Sequence, residues 1–296
     1  MIFQVRDDVQ SALAQGVGVV ALETAVLTHG LPYPDNLATM AKMAEAVRAA
    51  GAVPAVVGVR AGTLVVGLDQ TEWPEILPGA EKCSIRDLGP VAARGGNGGT
   101  TVAATAYAAH RANIAVFATG GIGGVHRGVV DTWDVSADLY ALARLPVVIV
   151  SSGIKSILDV PKTMEFLESL GIAVTGYQTR ELPGFYTTAS GIPLSESVRT
   201  PAEAAAVYRA MRDLGLPASL LVTKPGPEGM PTEMVEALIG RALLAAGEAG
   251  VVGKATTPFL LDYLNREAGD RLLSANVALL ESNARLAGEI SMALHA

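Results

Sequence analysis

The stretch LPVVIVSSGIKSILDV, residues 145–160, runs a near-continuous apolar segment into a Ser-Ser-Gly turn and then a lysine, Lys155. A lysine at that point reads in two ways. It is a solvated charge near the start of a helix, or it is an amine among Gly153, Ile154, Ile157 and Leu158. In such apolar company the ammonium is disfavoured, and the free amine can attack a carbonyl-like carbon. Glu23, closing GVGVVALE, has the same double reading: a carboxylate held by an arginine, or an acid/base group with a raised pKa.

The loop TGGIGGVHRG suggests nucleotide binding and fails both tests. A G-x-G-x-x-G fingerprint from Gly121 would need glycine at His126, and a G-x-x-x-x-G-K-[ST] loop from Gly123 finds Val129 where lysine belongs. What remains is a set of glycine N–H groups able to face an anion, with His126 and Arg127 as added donors, or else a loop that only needs a tight turn. DTWDVSADL places Asp131, Asp134 and Asp138 together. They read either as helix-capping carboxylates or as a hard-cation site for manganese or magnesium. Zinc is disfavoured, because His29, His110, His126 and His295 show no ligand spacing and Cys83 is the only cysteine.

These residues need a frame that brings them together. Short β-branched runs alternate with alanine-rich segments of helical period, which predicts crossover units on a largely parallel sheet. The expected strands include GVGVVALE, IAVFATGG, PVVIVSSG, IAVTGYQT and SLLVTKP, and AVPAVVGVRAGTLVVGL predicts a hairpin around Arg60-Ala61-Gly62 that makes the sheet mixed. KCSIRDLGPVAARGGNGG reads as loop leading into a helix from about residue 100. The class is therefore α/β, a three-layer α/β/α arrangement with a mixed, largely parallel central sheet, expected as one catalytic domain over residues 1–296. In such sheets ligands settle at the carboxyl ends of the strands, where Glu23, the glycine loop and Lys155 all fall.

Bulk composition narrows the partners. The 296 residues are 50% hydrophobic and 17% charged, with a net charge of −7 and no compensating basic stripe, so polymeric nucleic acid is excluded as a partner. No apolar run approaches the roughly 20 residues that span a bilayer. The opening MIFQVRDDVQ lacks the basic-then-apolar pattern of a secretion signal, and a lone cysteine suits a reducing compartment, so the expectation is a soluble cytoplasmic protein.

Six ordered blocks, ALETAVLTHGLPYP, GGNGGTTVAATAYAAHRANIAVFATGGIGGVHRG, TWDVSADL, SSGIKSILD, GYQTRELPGFY and GKATTPFLL, together resemble the pseudouridine-5'-phosphate glycosidase, or indigoidine synthase A-like, family. The resemblance runs from about residue 17 to about residue 290. This chain departs by Thr24-Ala25 where Ser-Thr is frequent in the family and by Ser152 where alanine is common. The resemblance implies reversible cleavage of the carbon–carbon glycosidic bond of pseudouridine 5'-phosphate to uracil and ribose 5-phosphate. It implies Lys155 as nucleophile through a covalent iminium, Glu23 as acid/base, and Asp134 as ligand of one manganese, or magnesium, ion. Substrate contacts implied are Lys82, Val102, Ser136, Ala137 and Asp138, with His126 and Asn276 at further site positions; the implied assembly is a homotrimer or a pair of them. Two rivals stand beside it: a Schiff-base aldolase on a sugar phosphate, which has no need of Asp134 and a metal, and a non-catalytic nucleotide-binding protein.

Overall fold

The segments VVALE, VIVS and LLVT bury every residue, the pattern of strands covered on both faces. A computed structural model describes residues 2–187 and 189–296, apart from the side chains of residues 254, 265 and 270. Its strands are β1 (Phe3–Val5), β2 (Val19–Glu23), β3 (Val53–Arg60), β4 (Thr63–Val66), β5 (Glu81–Cys83), β6 (Gly98–Thr100), β7 (Val116–Ala118), β8 (Val148–Ser151), β9 (Ala173–Tyr177), β10 (Glu196–Val198) and β11 (Leu220–Thr223). They form one sheet in the order β1-β4-β3-β2-β7-β8-β11-β9-β10, with β6 paired to β3 and β5 to β6.

From β2 through β7, β8, β11 and β9 to β10 every pairing is parallel. The antiparallel pairings are β3 with β4, closed by the Arg60-Ala61-Gly62 turn, and β3 with β6. Ala61 and Gly62 both take positive φ there, +46° and +76°, which a two-residue hairpin turn of the primed kind requires. The expected mixed sheet is thus present, and for the expected reason.

Helices cover the sheet to give three layers. The long helix Asp270–His295 runs along β2, β7 and β8 and packs against the helices Asp35–Ala49 and Pro201–Asp213. Close approach is built in: a Cβ on Gly288 would stand 2.7 Å from that of Ala50, and one on Gly18 2.8 Å from Ser291 Oγ. The helix Val102–Arg111, rich in alanine, lies on β2 and β7 and against the helix Ala137–Leu142. The apolar core is continuous from Val9 to Ile290. No helix among the described residues is long and apolar enough to cross a membrane.

One passage differs from expectation. KCSIRDLGPVAARGGNGG is not a loop: it holds the end of β5, the helix Ile85–Ala93 and the start of β6. The glycines that suggested a loop are strand residues with no room for a side chain, since a Cβ on Gly99 would fall 1.9 Å from Thr28 Oγ1 and one on Gly98 2.3 Å from Cys83 Sγ. Pro90 sits within Ile85–Ala93. This passage puts Lys82 on a strand instead of a mobile loop.

Candidate active site

Parallel register sets the first two groups. Leu22 of β2 pairs with Ala118 of β7, and Ala118 with Val150 of β8, so Glu23, Thr119 and the turn after Ser151 emerge side by side at the carboxyl edge. Glu23 is buried, 4% exposed, and no arginine holds it; the Thr119 hydroxyl donates to its Oε1. Burial pushes the Glu23 carboxyl above its ordinary range, with the Lys155 charge and the Thr119 hydrogen bond pulling it partly back. A carboxyl whose hold on its proton is strengthened by burial is the type of group that proton delivery to carbon needs.

Lys155 follows the positive-φ turn at Gly153, φ +84°, whose missing side chain lets the Pro183 carbonyl come within 2.6 Å of where a Cβ would lie. The Lys155 N–H donates to Ile122 O at 3.1 Å and its carbonyl accepts from Leu158 N at 3.0 Å, so the backbone is held independently of the side chain. Its amine lines the same cleft as Glu23. Lys82, on β5, points into that cleft as well, and burial, followed by the nearby Lys155 charge, brings its amine down to about 8. Among the described residues neither lysine is committed to an ion pair.

The cleft has two lobes that share Glu23, Lys82, Lys155 and Thr257. The polar lobe, about 310 Å³, a size suited to a small molecule, is walled by Arg86, Thr101, His126, Asp134, Ser136 and Asp138, with Ala137 at its edge. Ser136 caps the helix Ala137–Leu142 by accepting the Asp138 N–H at 3.2 Å. Asp134 is therefore not that helix's cap. The Asp138 carboxylate accepts from Ala103 N at 2.9 Å and Gly123 N at 2.8 Å, tying the glycine loop to the start of Val102–Arg111. A Cβ at Gly123 would sit 2.3 Å from Ser136 Oγ, so glycine is required there by packing.

His126 Nδ1 lies 3.8 Å from Asp134 Oδ2. Burial lowers the His126 pKa although Asp134 opposes it, so the contact near neutral pH joins a carboxylate to an uncharged ring. The three aspartates do not form a cation cluster: Asp131 is exposed outside the cleft, Asp138 is engaged by backbone N–H groups, and no group of three ligating side chains exists among the described residues. Asp134 is the carboxylate still open to a hard cation. One carboxylate plus water and a ligand phosphate is an ordinary set for manganese or magnesium, and of that set the polar lobe supplies the carboxylate.

The second lobe is apolar, formed by Val26, Leu31, Phe185, Leu261 and Leu280, with His29 and Asn276 as polar groups. Asn276 is 8% exposed, and its amide has no hydrogen-bond partner among the described residues. The Val102 side chain is buried in the core, and Thr101 lines the cleft in its place. Arg127, read from sequence as an anion donor, points elsewhere. Its guanidinium donates to both Glu236 carboxylate oxygens at 2.9 Å and to the carbonyls of Ser156 and Leu158, bracing the Lys155 turn from behind.

Sequence reasoning passed over His29, Thr119 and Asn283. Asn283, fully buried, donates to Thr119 O at 2.9 Å and to Ser152 Oγ at 3.1 Å, joining the residue that bonds Glu23 to the turn that carries Lys155. It lies two helical turns beyond Asn276 on one face of Asp270–His295, and that i, i+7 spacing was the available signal. Asn283→Leu strands two buried polar groups. It is expected to cost about 2–4 kcal/mol, read as a lower urea midpoint with an unchanged slope.

Two solved structures share this architecture along nearly their whole length. An indigoidine synthase A-like protein from Thermotoga maritima superposes with a TM-score of 0.92 at 38% identity, covering 100% of this chain and 97% of that one. The prealnumycin C-glycosynthase, solved in complex with ribulose 5-phosphate, gives 0.90 at 40% identity with the same coverage. The class so defined is an α/β enzyme with its cleft at the carboxyl ends of a mixed sheet. The family description "indigoidine synthase A like protein" matches residues 8–293. Curated relatives named pseudouridine-5'-phosphate glycosidase are 48% identical in Methylobacterium nodulans, over 97% of this chain and 86% of the relative, and 47% identical in Herpetosiphon aurantiacus, over 97% and 96%. The chain belongs to the indigoidine synthase A-like family.

Proposed function

We propose that the enzyme cleaves the carbon–carbon glycosidic bond of pseudouridine 5'-phosphate, reversibly, to uracil and ribose 5-phosphate. The observation that carries this reading is the meeting of an amine and a buried carboxyl of raised pKa, Lys155 and Glu23, where a polar lobe joins an apolar one. The relatives' shared name and the pentose phosphate bound to the C-glycosynthase support it.

The ribose phosphate occupies the polar lobe, with Lys82 opposing the phosphate charge, and uracil occupies the apolar one. The anomeric carbon then lies at the junction, beside Lys155. A carbon leaving group has no bridging oxygen to protonate, so a two-carboxylate glycosidase scheme does not serve. Attack by the Lys155 amine on the anomeric carbon breaks its bond to the ring oxygen; the nitrogen loses a proton, regaining its lone pair, and the ring oxygen takes that proton up as the ribose opens. Glu23 gives its proton to the uracil carbon; the bond between that carbon and the anomeric carbon breaks, its electron pair returning to the uracil ring. The Lys155 nitrogen lone pair closes the iminium. Water adds to the iminium, ribose 5-phosphate leaves, and the amine is restored.

Asp134, with His126 beside it, would hold the divalent ion the family resemblance implies, and such an ion supplies charge compensation for the phosphate. Incubation with pseudouridine 5'-phosphate, with and without manganese, tests the reading by release of free uracil. Absence of uracil in both arms overturns it. The reading includes a homotrimer or a pair of trimers, which sedimentation equilibrium checks.

Lys82 gives a pH signature. Its amine is charged below about 8 and neutral above, so attraction for the phosphate dianion fades on the alkaline side, and kcat/KM, which reports the free enzyme, is expected to fall there. Lys82→Met should lower kcat/KM at pH 7 by about 10- to 100-fold and remove that alkaline limb. A limb unchanged in the variant would assign it to another group.

A further inference from the structure

His29 stands on the helical turn Val26–Gly30, directly after β2, and its ring forms part of the apolar lobe, across from Asn276. In the sequence it counted only among the histidines without metal-ligand spacing. Its Nδ1 lies 2.6 Å from the Thr28 hydroxyl, which also lies 3.1 Å from the Thr24 carbonyl. That carbonyl already accepts the N–H groups of Leu27 and Thr28, each at 3.0 Å. The Thr28 hydroxyl spends its one proton on that carbonyl, so Nδ1 carries the ring proton and donates it to Thr28 Oγ1, which leaves Nε2 as a bare acceptor. Burial, and then the charge of Lys82, hold the ring below its ordinary pKa, so it is neutral at pH 7. The ring presents one acceptor nitrogen that has no partner among the described residues.

We propose that His29 reads the nucleobase, its Nε2 accepting a ring N–H of uracil in the apolar lobe. This rests on the glycosidase reading and adds the group that selects the base. A flat heterocycle fits walls such as Phe185, Leu261 and Leu280 but gains no orientation from them; orientation comes from polar groups at its edge. Asn276, buried with a free amide, offers one donor and one acceptor, matching an adjacent N–H and C=O pair of uracil. His29 supplies a second acceptor, so both uracil N–H groups find partners and the carbon facing Glu23 is held in place. A base whose ring nitrogen carries no proton at that position meets acceptor against acceptor and is rejected.

Synthesis run backwards separates the two halves of the substrate. With uracil and ribose 5-phosphate as co-substrates, His29→Ala should raise the KM for uracil by about three- to tenfold and leave the KM for ribose 5-phosphate within about twofold. His29→Gln, whose amide oxygen restores an acceptor, should recover part of the loss and guards against a folding defect in the alanine variant. Equal rises in both KM values, or no rise for uracil, overturn the assignment while the parent enzyme's activity keeps the glycosidase reading intact. A parent that makes no nucleotide from these two compounds brings down the glycosidase reading, and the role of His29 with it.

Discussion

Lys155→Ala is expected to lower kcat by roughly 10,000-fold or more with no loss of thermal stability. The side chain enters no ion pair among the described residues, while the backbone N–H and carbonyl of Lys155 bond to Ile122 and Leu158, so truncation leaves the turn in place. Removal also relieves repulsion between the two amines in the cleft, since Lys155 depresses the Lys82 pKa. The same variant should show the Lys82 amine titrating at higher pH. Borohydride added to the parent enzyme during turnover should leave a ribose 5-phosphate increment on the tryptic peptide containing Lys155 and none on that of the variant. A parent peptide of unaltered mass after trapping would remove the covalent step from the mechanism.

Glu23→Gln combines a large loss of rate with a gain of stability. Without a proton to give, the leaving uracil carbon departs as a carbanion, and kcat should fall by about 100- to 10,000-fold. Stability moves the other way because the folded-state pKa of Glu23 is raised above 4.5. Between that value and the folded pKa, the folded chain binds more protons at this position than the unfolded chain does, so stability falls as pH rises through the window and stays lowered above it. Glutamine has nothing to ionise, keeps an oxygen for the Thr119 hydroxyl, and escapes that penalty. Its melting temperature should exceed the parent's at pH 7 and match it near pH 4. A variant no more stable at pH 7 would show that the two lysines fully compensate the buried charge.

The strand-end chemistry was legible because it is carried by strongly patterned segments. VVALE and VIVS are unbroken apolar runs, and residues immediately after such strands converge by the rules of a parallel sheet. The Lys82 strand was not legible from spacing: three residues, two of them charged, give no period, and Gly98-Gly99 mimics a loop while serving as strand. Resemblance supplied Lys82; periodicity would have left it on a flexible surface. Arg127 misled for the opposite reason. It follows His126 in a loop of glycines, yet adjacent residues point apart, and only Glu236 on a distant helix shows where the guanidinium goes. Thr119 and Asn283 bear common, neutral side chains whose importance comes from what they touch, which no one-dimensional pattern records.

The helix Asp270–His295 has a bearing on biosynthesis. Ser291 donates to Val19 O across 272 positions of sequence, and Asn283 ties Thr119, which bonds Glu23, to the turn that carries Lys155. The early strands can leave the ribosome and begin to pair, but the amine and the carboxyl are not fastened together until nearly three hundred residues have been synthesised. Contacts so remote in sequence slow the final folding step. On the proposed mechanism, the amine and its proton donor are thereby kept apart while the nascent chain is exposed to sugar phosphates.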